Sequence, residues 1–181
     1  TSSPNVQNMP RTDDPDIRKM FLPDNGDVLV VGDWVAEELR ITAALSKDKV
    51  MYNALKNGDD LHYKTAQFIF EKDKPTDEER FLAKTCNFAI LYGGTDYAIA
   101  NILKCSQESA KKVIGKLEEM YTGFYQWKQG QEAIIINRGF SESYQGRRKY
   151  IDIFTDSNGR KFYSPGDMRA ALNHIVQSSG S

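Results

Sequence analysis

From Asp59 to Arg138 the chain is written in helical spacing, and one of its helices has a marked start. Thr76 followed three residues later by Glu79 is a capping-box pattern, in which each side chain satisfies a backbone N–H of the other's residue. Asp77 and Glu78 add negative charge where the helix dipole is positive. The spacing predicts one helix to about Glu71, one from Thr76 through Tyr92, one over "TDYAIANILK", and a long one from Ser106 to about Arg138. Upstream, "DVLVVGDW" (Asp27 to Trp34) follows an Asn25-Gly26 turn signal and predicts a buried strand with Asp33 at its end. "EELRITAALS" then turns Leu39, Ile41, Ala44 and Leu45 to one helical face. Downstream, "GFSESYQGRRKYID" and "RKFYSPGDM" predict a hairpin or loops, and "MRAALNHIVQSS" returns to helix. There is no internal repeat and no low-complexity tract.

That pattern sits on the composition of a soluble globular protein: 181 residues, 40% hydrophobic and 27% charged. A net charge of -1 leaves no global footprint for nucleic acid, so any polyanion site must come from a local cluster of Lys and Arg. Cys86 and Cys105 have neither CxxC spacing nor a nearby His, which argues against zinc and against a disulfide framework and for reduced thiols. No apolar run approaches the roughly 20 residues a membrane span needs. The segment "TSSPNVQNMPR" lacks the layout of a signal peptide, so a cytosolic protein is expected. Apolar periodicity still runs at "NHIVQSSGS", which suggests a piece of a longer protein.

On the helix from Thr76, Arg80, Lys84, Phe88 and Tyr92 recur at steps of four. Each step drifts by only about 40°, so the four form a slanted stripe roughly 18 Å long. A triphosphate, sugar and base laid end to end have a similar length. Arg offers a planar fork to phosphate oxygens, and Lys a point charge that can follow charge onto a leaving group. Phe88 suits a sugar or base, and Tyr92 can stack and donate a hydrogen bond. A solvated charged stripe passing into a core-facing aromatic one fits the same spacing. Asp33 likewise fits either a bound cation or the cap of the following helix.

"GDWVAEELR" followed by "RFLAKTCNFAILYGG" resembles the first two polymerase motifs of the family A DNA polymerases, the group that includes bacterial DNA polymerase I and phage T7 polymerase. The resemblance extends to "SSPNVQNMPR", "DDLH", "GRRKYID" and "NHIVQ", in the family's order and over almost the whole chain. It implies an α/β (α+β), mainly helical fold, the palm and fingers portion of a right-hand polymerase with a short palm strand and a fingers helical bundle. Residues 1–60 would be palm, 61–165 fingers with the nucleotide-binding helix at 76–92, and 166–181 a return to the palm. The implied activity is DNA-directed DNA polymerisation, from deoxynucleoside triphosphates onto a primer 3′ hydroxyl.

Residue by residue, the resemblance makes Asp33 a ligand of both Mg²⁺ ions of a two-metal site, with the Trp34 backbone carbonyl on one of them. Glu38 matches the steric gate that blocks a ribose 2′ hydroxyl and bonds Tyr92. Arg80 and Lys84 match the residues that hold the triphosphate, Lys84 also being a candidate general acid toward pyrophosphate. Phe88 matches the sugar-packing position, where Phe or Tyr affects dideoxynucleotide acceptance. Tyr92 matches the tyrosine that stacks near the templating base and moves as the fingers close. Gly93 then ends the helix. Asn5, Gln7, Asn8 and Arg11 match a loop on primer and template, and Asn173 and Gln177 residues facing the terminal base pair. Arg147, Arg148 and Lys149 are template-phosphate contacts or an internal pair with Asp152. His62 is taken as a structural helix residue, and His174 as one that approaches the duplex without a catalytic role.

The chain departs from the family pattern in places. Trp34, Val35, Ala36 and Glu37 replace a small or polar run, and Ala89 stands where many relatives have Gly. Glu37 either alters sugar discrimination or faces solvent. The third motif, His-Asp-Glu, is expected beyond Ser181, and the thumb and any exonuclease domain are not expected within this chain. The fragment is therefore expected to be inactive alone and to need the rest of the polymerase chain, primer-template DNA and deoxynucleoside triphosphates, with no membrane, in the cytoplasm (nucleoid, or host cytoplasm if viral). The alternatives are a non-catalytic nucleotide or nucleic-acid binding module, a split-polymerase subunit completed by another chain, and a helical structural domain without ligand.

Overall fold

The computed structural model describes residues 20–30, 32 and 34–180. The chain divides into two units, residues 1–35 and 36–181. In the first, the Asn25-Gly26 turn forms, with Gly26 at φ 96° and Asp27 N–H donating to Asp24 O at 2.9 Å. The expected buried strand does not: Val28, Leu29 and Val30 are exposed and carry no strand pairing. An apolar run satisfies its backbone groups as a strand only when a neighbouring strand accepts them, and among the described residues none adjoins it.

The second unit is mainly helical: α1 (Glu37–Ser46), α2 (Lys49–Asn57), α3 (Leu61–Phe70), α4 (Asp77–Leu91), α5 (Asp96–Leu103), α6 (Gln107–Met120), α7 (Thr122–Arg138) and α8 (Pro165–Gln177). Between α7 and α8 lie two antiparallel pairs, β1 (Phe140–Glu142) with β2 (Arg148–Tyr150) and β3 (Ile153–Thr155) with β4 (Lys161–Tyr163). Side chains start most of the helices: Asp48, Asp60, Thr76, Ser106 and Ser164 each accept from backbone N–H groups of the first turn. The Thr76–Glu79 capping box closes in both directions, at 3.2 and 2.8 Å.

The single helix expected from Ser106 to Arg138 is two. Tyr121 leaves helical geometry at φ -110°, ψ 47°. The cause is tertiary. Gly123 comes so close to the α1–α2 connection that a Cβ there would lie 2.8 Å from Asp48 Cα. The buried Asp48 carboxylate caps α2 through Oδ1, at 3.0 Å from both Val50 N and Met51 N, and accepts from Phe124 N at 3.1 Å through Oδ2. One side chain therefore starts α2 and anchors the first turn of α7.

Two cores result. The larger gathers Leu39, Met51, Ala66, Ala83, Ile99, Leu117, Tyr121 and Phe124 from α1 to α7, and the smaller packs Ile135 against Met168, Ala171, Leu172 and Ile175 of α8. Trp127 flanks both. Cys86 and Cys105 are free thiols. Burial, with Cys105 nearby, pushes the Cys86 thiol up to about 12. Among the described residues no helix is long and apolar enough to cross a membrane.

Candidate functional site

The stripe on α4 lies on one face, held by α1, α3 and α8. At its first turn Arg80 Nε donates to Asp60 Oδ2 at 2.5 Å, while Asp60 Oδ1 caps α3 through His62 N and Tyr63 N. Burial would raise the Asp60 carboxyl, but the Arg80 hydrogen bond, the two backbone N–H groups and the Arg80 charge hold it below its ordinary value. Lys84, one turn on, is exposed. Phe88 packs its ring 5.8 Å from His62 and stacks on Tyr92 at 6.2 Å and 18°. The Tyr92 hydroxyl donates to Glu38 Oε2 on α1. Burial, the Glu38 hydrogen bond and the Glu38 charge push this phenol up to about 12, opposed by a hydrogen bond with Gln177 of α8.

Tyr92 is thus a neutral donor throughout the physiological range. Glu38→Gln is expected to lower its pKa while leaving it above 10, because burial persists. Tyrosine NMR titration checks this, and an unchanged value would show that Glu38 does not act on the phenol.

Gly93 follows at φ +75°, and a Cβ there would meet Arg169 Cγ at 2.8 Å, so the end of α4 lies flush against the α8 side chain. Only glycine meets both demands without strain.

His62, taken from the sequence as structural, stands within this face. Its Nδ1 accepts from Asn87 Nδ2 at 3.1 Å, and the same amide donates to Thr65 Oγ1 at 2.8 Å. Thr65 donates to Leu61 O at 2.7 Å, so the hydroxyl of Tyr121, 2.6 Å away, is the donor to Thr65. Burial lowers the His62 pKa, Asp60 opposes, and Lys84 and Arg80 lower it further. Because the Asn87 amide nitrogen donates to Nδ1, the contact requires the tautomer that carries its proton on Nε2. The partners that place it, Asn87 and Phe88, are on another helix, so no spacing within α3 announces it.

The second candidate region lies on α8 and the first hairpin. An open groove of about 440 Å³ is lined by Lys149, Ala170, Asn173, His174, Gln177 and Ser178. The basic cluster divides here. Arg148 pairs with Glu142, its cross-strand partner, at 2.6 Å and lies over the Phe140 ring at 4.6 Å, so its ion pair is not with Asp152. Arg147 Nη1 reaches Ser178 O at 3.4 Å, and Lys149 faces the groove.

The structure therefore brings together Glu38, Arg80, Lys84, Phe88, Tyr92 and Gln177 with His62, and separately Asn173 with Gln177 and Lys149. Asp33 lies outside the described residues, as do Asn5, Gln7, Asn8 and Arg11. Trp34 is described as exposed. Glu37 is half-buried, its carboxylate beside Gly180. Among the described residues no three His, Cys, Asp or Glu side chains converge on a metal position.

The family model for DNA polymerase family A matches residues 1–181. DNA polymerase I of Borreliella burgdorferi is 34% identical over 99% of this chain and 20% of its own length. DNA polymerase I of Caldicellulosiruptor bescii is 35% identical over 100% of this chain and 22% of its own length. The chain spans about a fifth of these curated relatives. Among solved structures, the POL domain of Pol1 from M. smegmatis, in complex with DNA primer-template and dNTP, superposes with a TM-score of 0.77 at 29% identity, over 97% of this chain and 32% of that one.

Proposed function

Because the chain belongs to DNA polymerase family A, we propose that its α4 face delivers a deoxynucleoside triphosphate to a primer end in template-directed DNA synthesis. The observation that carries this reading is the order of groups along the face: Arg80 and Lys84, then His62 and Phe88, then Tyr92 bonded to Glu38. Two cations suit the triphosphate, and His62 offers an Nε2–H beside them. Phe88 gives a flat apolar surface for the sugar. In this reading the carboxylate of Glu38, tied to Tyr92, is the group that denies a ribose 2′ hydroxyl room and a partner.

The wider assignment follows the family. Residues 1–60 and 166–181 serve as palm and 61–165 as fingers, and the primer-template duplex lies against Asn173, Gln177 and the first hairpin, with Asn5, Gln7, Asn8 and Arg11 as further contacts. Asp33 and the Trp34 carbonyl are the proposed Mg²⁺ ligands. Bound there, Mg²⁺ would make the primer hydroxyl more acidic and offset charge on the leaving pyrophosphate. The rest of the polymerase chain completes the reaction, in the cytoplasm.

Titration of the chain with a deoxynucleoside triphosphate tests the assignment. Arg80→Ala is expected to weaken binding about tenfold, the scale of one charge-assisted hydrogen bond. Triphosphate is also expected to slow hydrogen exchange along α4. Equal affinity in the variant, or α4 amides indifferent to triphosphate, would favour a helical domain without a nucleotide site.

A further inference from the structure

The chain has two histidines, and their rings are anchored by opposite chemistry. At His62 the group facing Nδ1 is an amide nitrogen, which can only donate, so protonating that nitrogen breaks the contact. At His174 the group facing Nδ1 is the Ser141 hydroxyl, at 3.2 Å. Ser141 is itself buried, 2% exposed, and a hydroxyl donates or accepts as required. The His174 ring therefore keeps its anchor in either protonation state.

That ring lines the open groove between β2 and α8, beside Lys149, Asn173 and Gln177. Lys149 from β2 and Arg147 from the turn before it are the charged groups acting on it among the described residues. On β1, Glu142 is engaged by Arg148. Asn173 and Gln177, its neighbours on α8, carry no charge. We infer that Lys149 and His174, with the charge of Arg147 beside them, form a phosphodiester-binding site at this groove, at which His174 takes up a proton as the phosphate enters.

Burial first, then Lys149 and Arg147, hold the free imidazole below its usual range. A phosphate offsets the field of both cations and accepts a hydrogen bond from the ring, so both effects favour the imidazolium in the complex. The bound pKa then exceeds the free one, and affinity rises as pH falls from above the bound value toward the free value. This rests on the reading of the chain as a nucleic-acid-binding part of a polymerase, and it adds a titrating contact that the family resemblance does not supply.

Fluorescence anisotropy of a labelled primer-template duplex, at pH 8.0 and pH 6.0 and fixed ionic strength, tests it on the chain. Wild type is expected to bind about three- to tenfold tighter at pH 6.0, within the limit of one proton taken up. His174→Gln, which can still hydrogen-bond Ser141, is expected to bind equally at both. Imidazole NMR gives an independent reading: the duplex should raise the pKa of His174 and leave His62 neutral. Binding that is indifferent to pH in wild type, or equally pH-dependent in His174→Gln, overturns the site while leaving nucleic-acid binding standing. No binding at either pH overturns the nucleic-acid reading itself and this site with it.

Discussion

Lys84→Ala, in a full-length polymerase carrying this chain, is expected to lower the rate of nucleotide incorporation by about 10²- to 10⁴-fold, the range that a positioned general acid supplies. Lys84 is exposed, so its removal takes little from the core and stability should hardly change. Its charge already acts on the His62 ring one helix away, which places it on the face that Arg80 and Phe88 share. Arg80 differs in kind: its Nε is engaged by Asp60, and a guanidinium is a fixed cation rather than a proton donor, so its proposed role is to hold phosphate. The two losses should therefore separate. Arg80→Ala raises the concentration of nucleotide needed, whereas Lys84→Ala lowers the rate at saturation. Lys84→Arg restores the charge but replaces the ammonium proton donor by a guanidinium and should recover binding but not rate. Single-turnover incorporation at saturating nucleotide measures this, and a loss of less than threefold in Lys84→Ala would remove Lys84 from the chemistry.

What the sequence discloses depends on how far apart the partners are. The start of α4, its end at Gly93 and the stripe from Arg80 to Tyr92 are set by residues three and four apart, and all are legible. The break at Tyr121 is not, because its cause is Asp48, more than seventy residues upstream. For the same reason α2 escapes notice: its apolar stripe is short and its cap is a buried acid whose second oxygen serves another helix. Arg148 shows the intermediate case. Asp152 is nearer in sequence, but the hairpin register sets Glu142 directly across, and register is fixed by strand pairing rather than by spacing. The run "DVLVVGDW" has strand composition, yet composition cannot provide a neighbour. His62 becomes a member of the site only through Asn87 and Phe88, which no pattern along α3 contains.

Those distant partners form a connected series, and its first member is where a substitution should cost most stability. Asp48→Ala is expected to destabilise the chain by about 2–4 kcal/mol, combining the loss of a helix cap, about 1 kcal/mol, with a buried Phe124 N–H left without its acceptor, about 1–3 kcal/mol. Asp48→Asn keeps one acceptor oxygen and should cost about half as much. A urea midpoint that falls with an unchanged slope would mark this as lost stability rather than altered compactness. The consequence extends to α4. Asp48 fixes the first turn of α7 beside Tyr121, whose hydroxyl bonds Thr65, which accepts from Asn87, whose amide orients the His62 ring against Phe88. Asp48→Ala should therefore weaken triphosphate binding even where the chain remains folded, while a surface change such as Lys112→Ala should not. A loss below 1 kcal/mol in Asp48→Ala would show that the α6–α7 break is set by Gly123 and the burial of Tyr121 without the carboxylate.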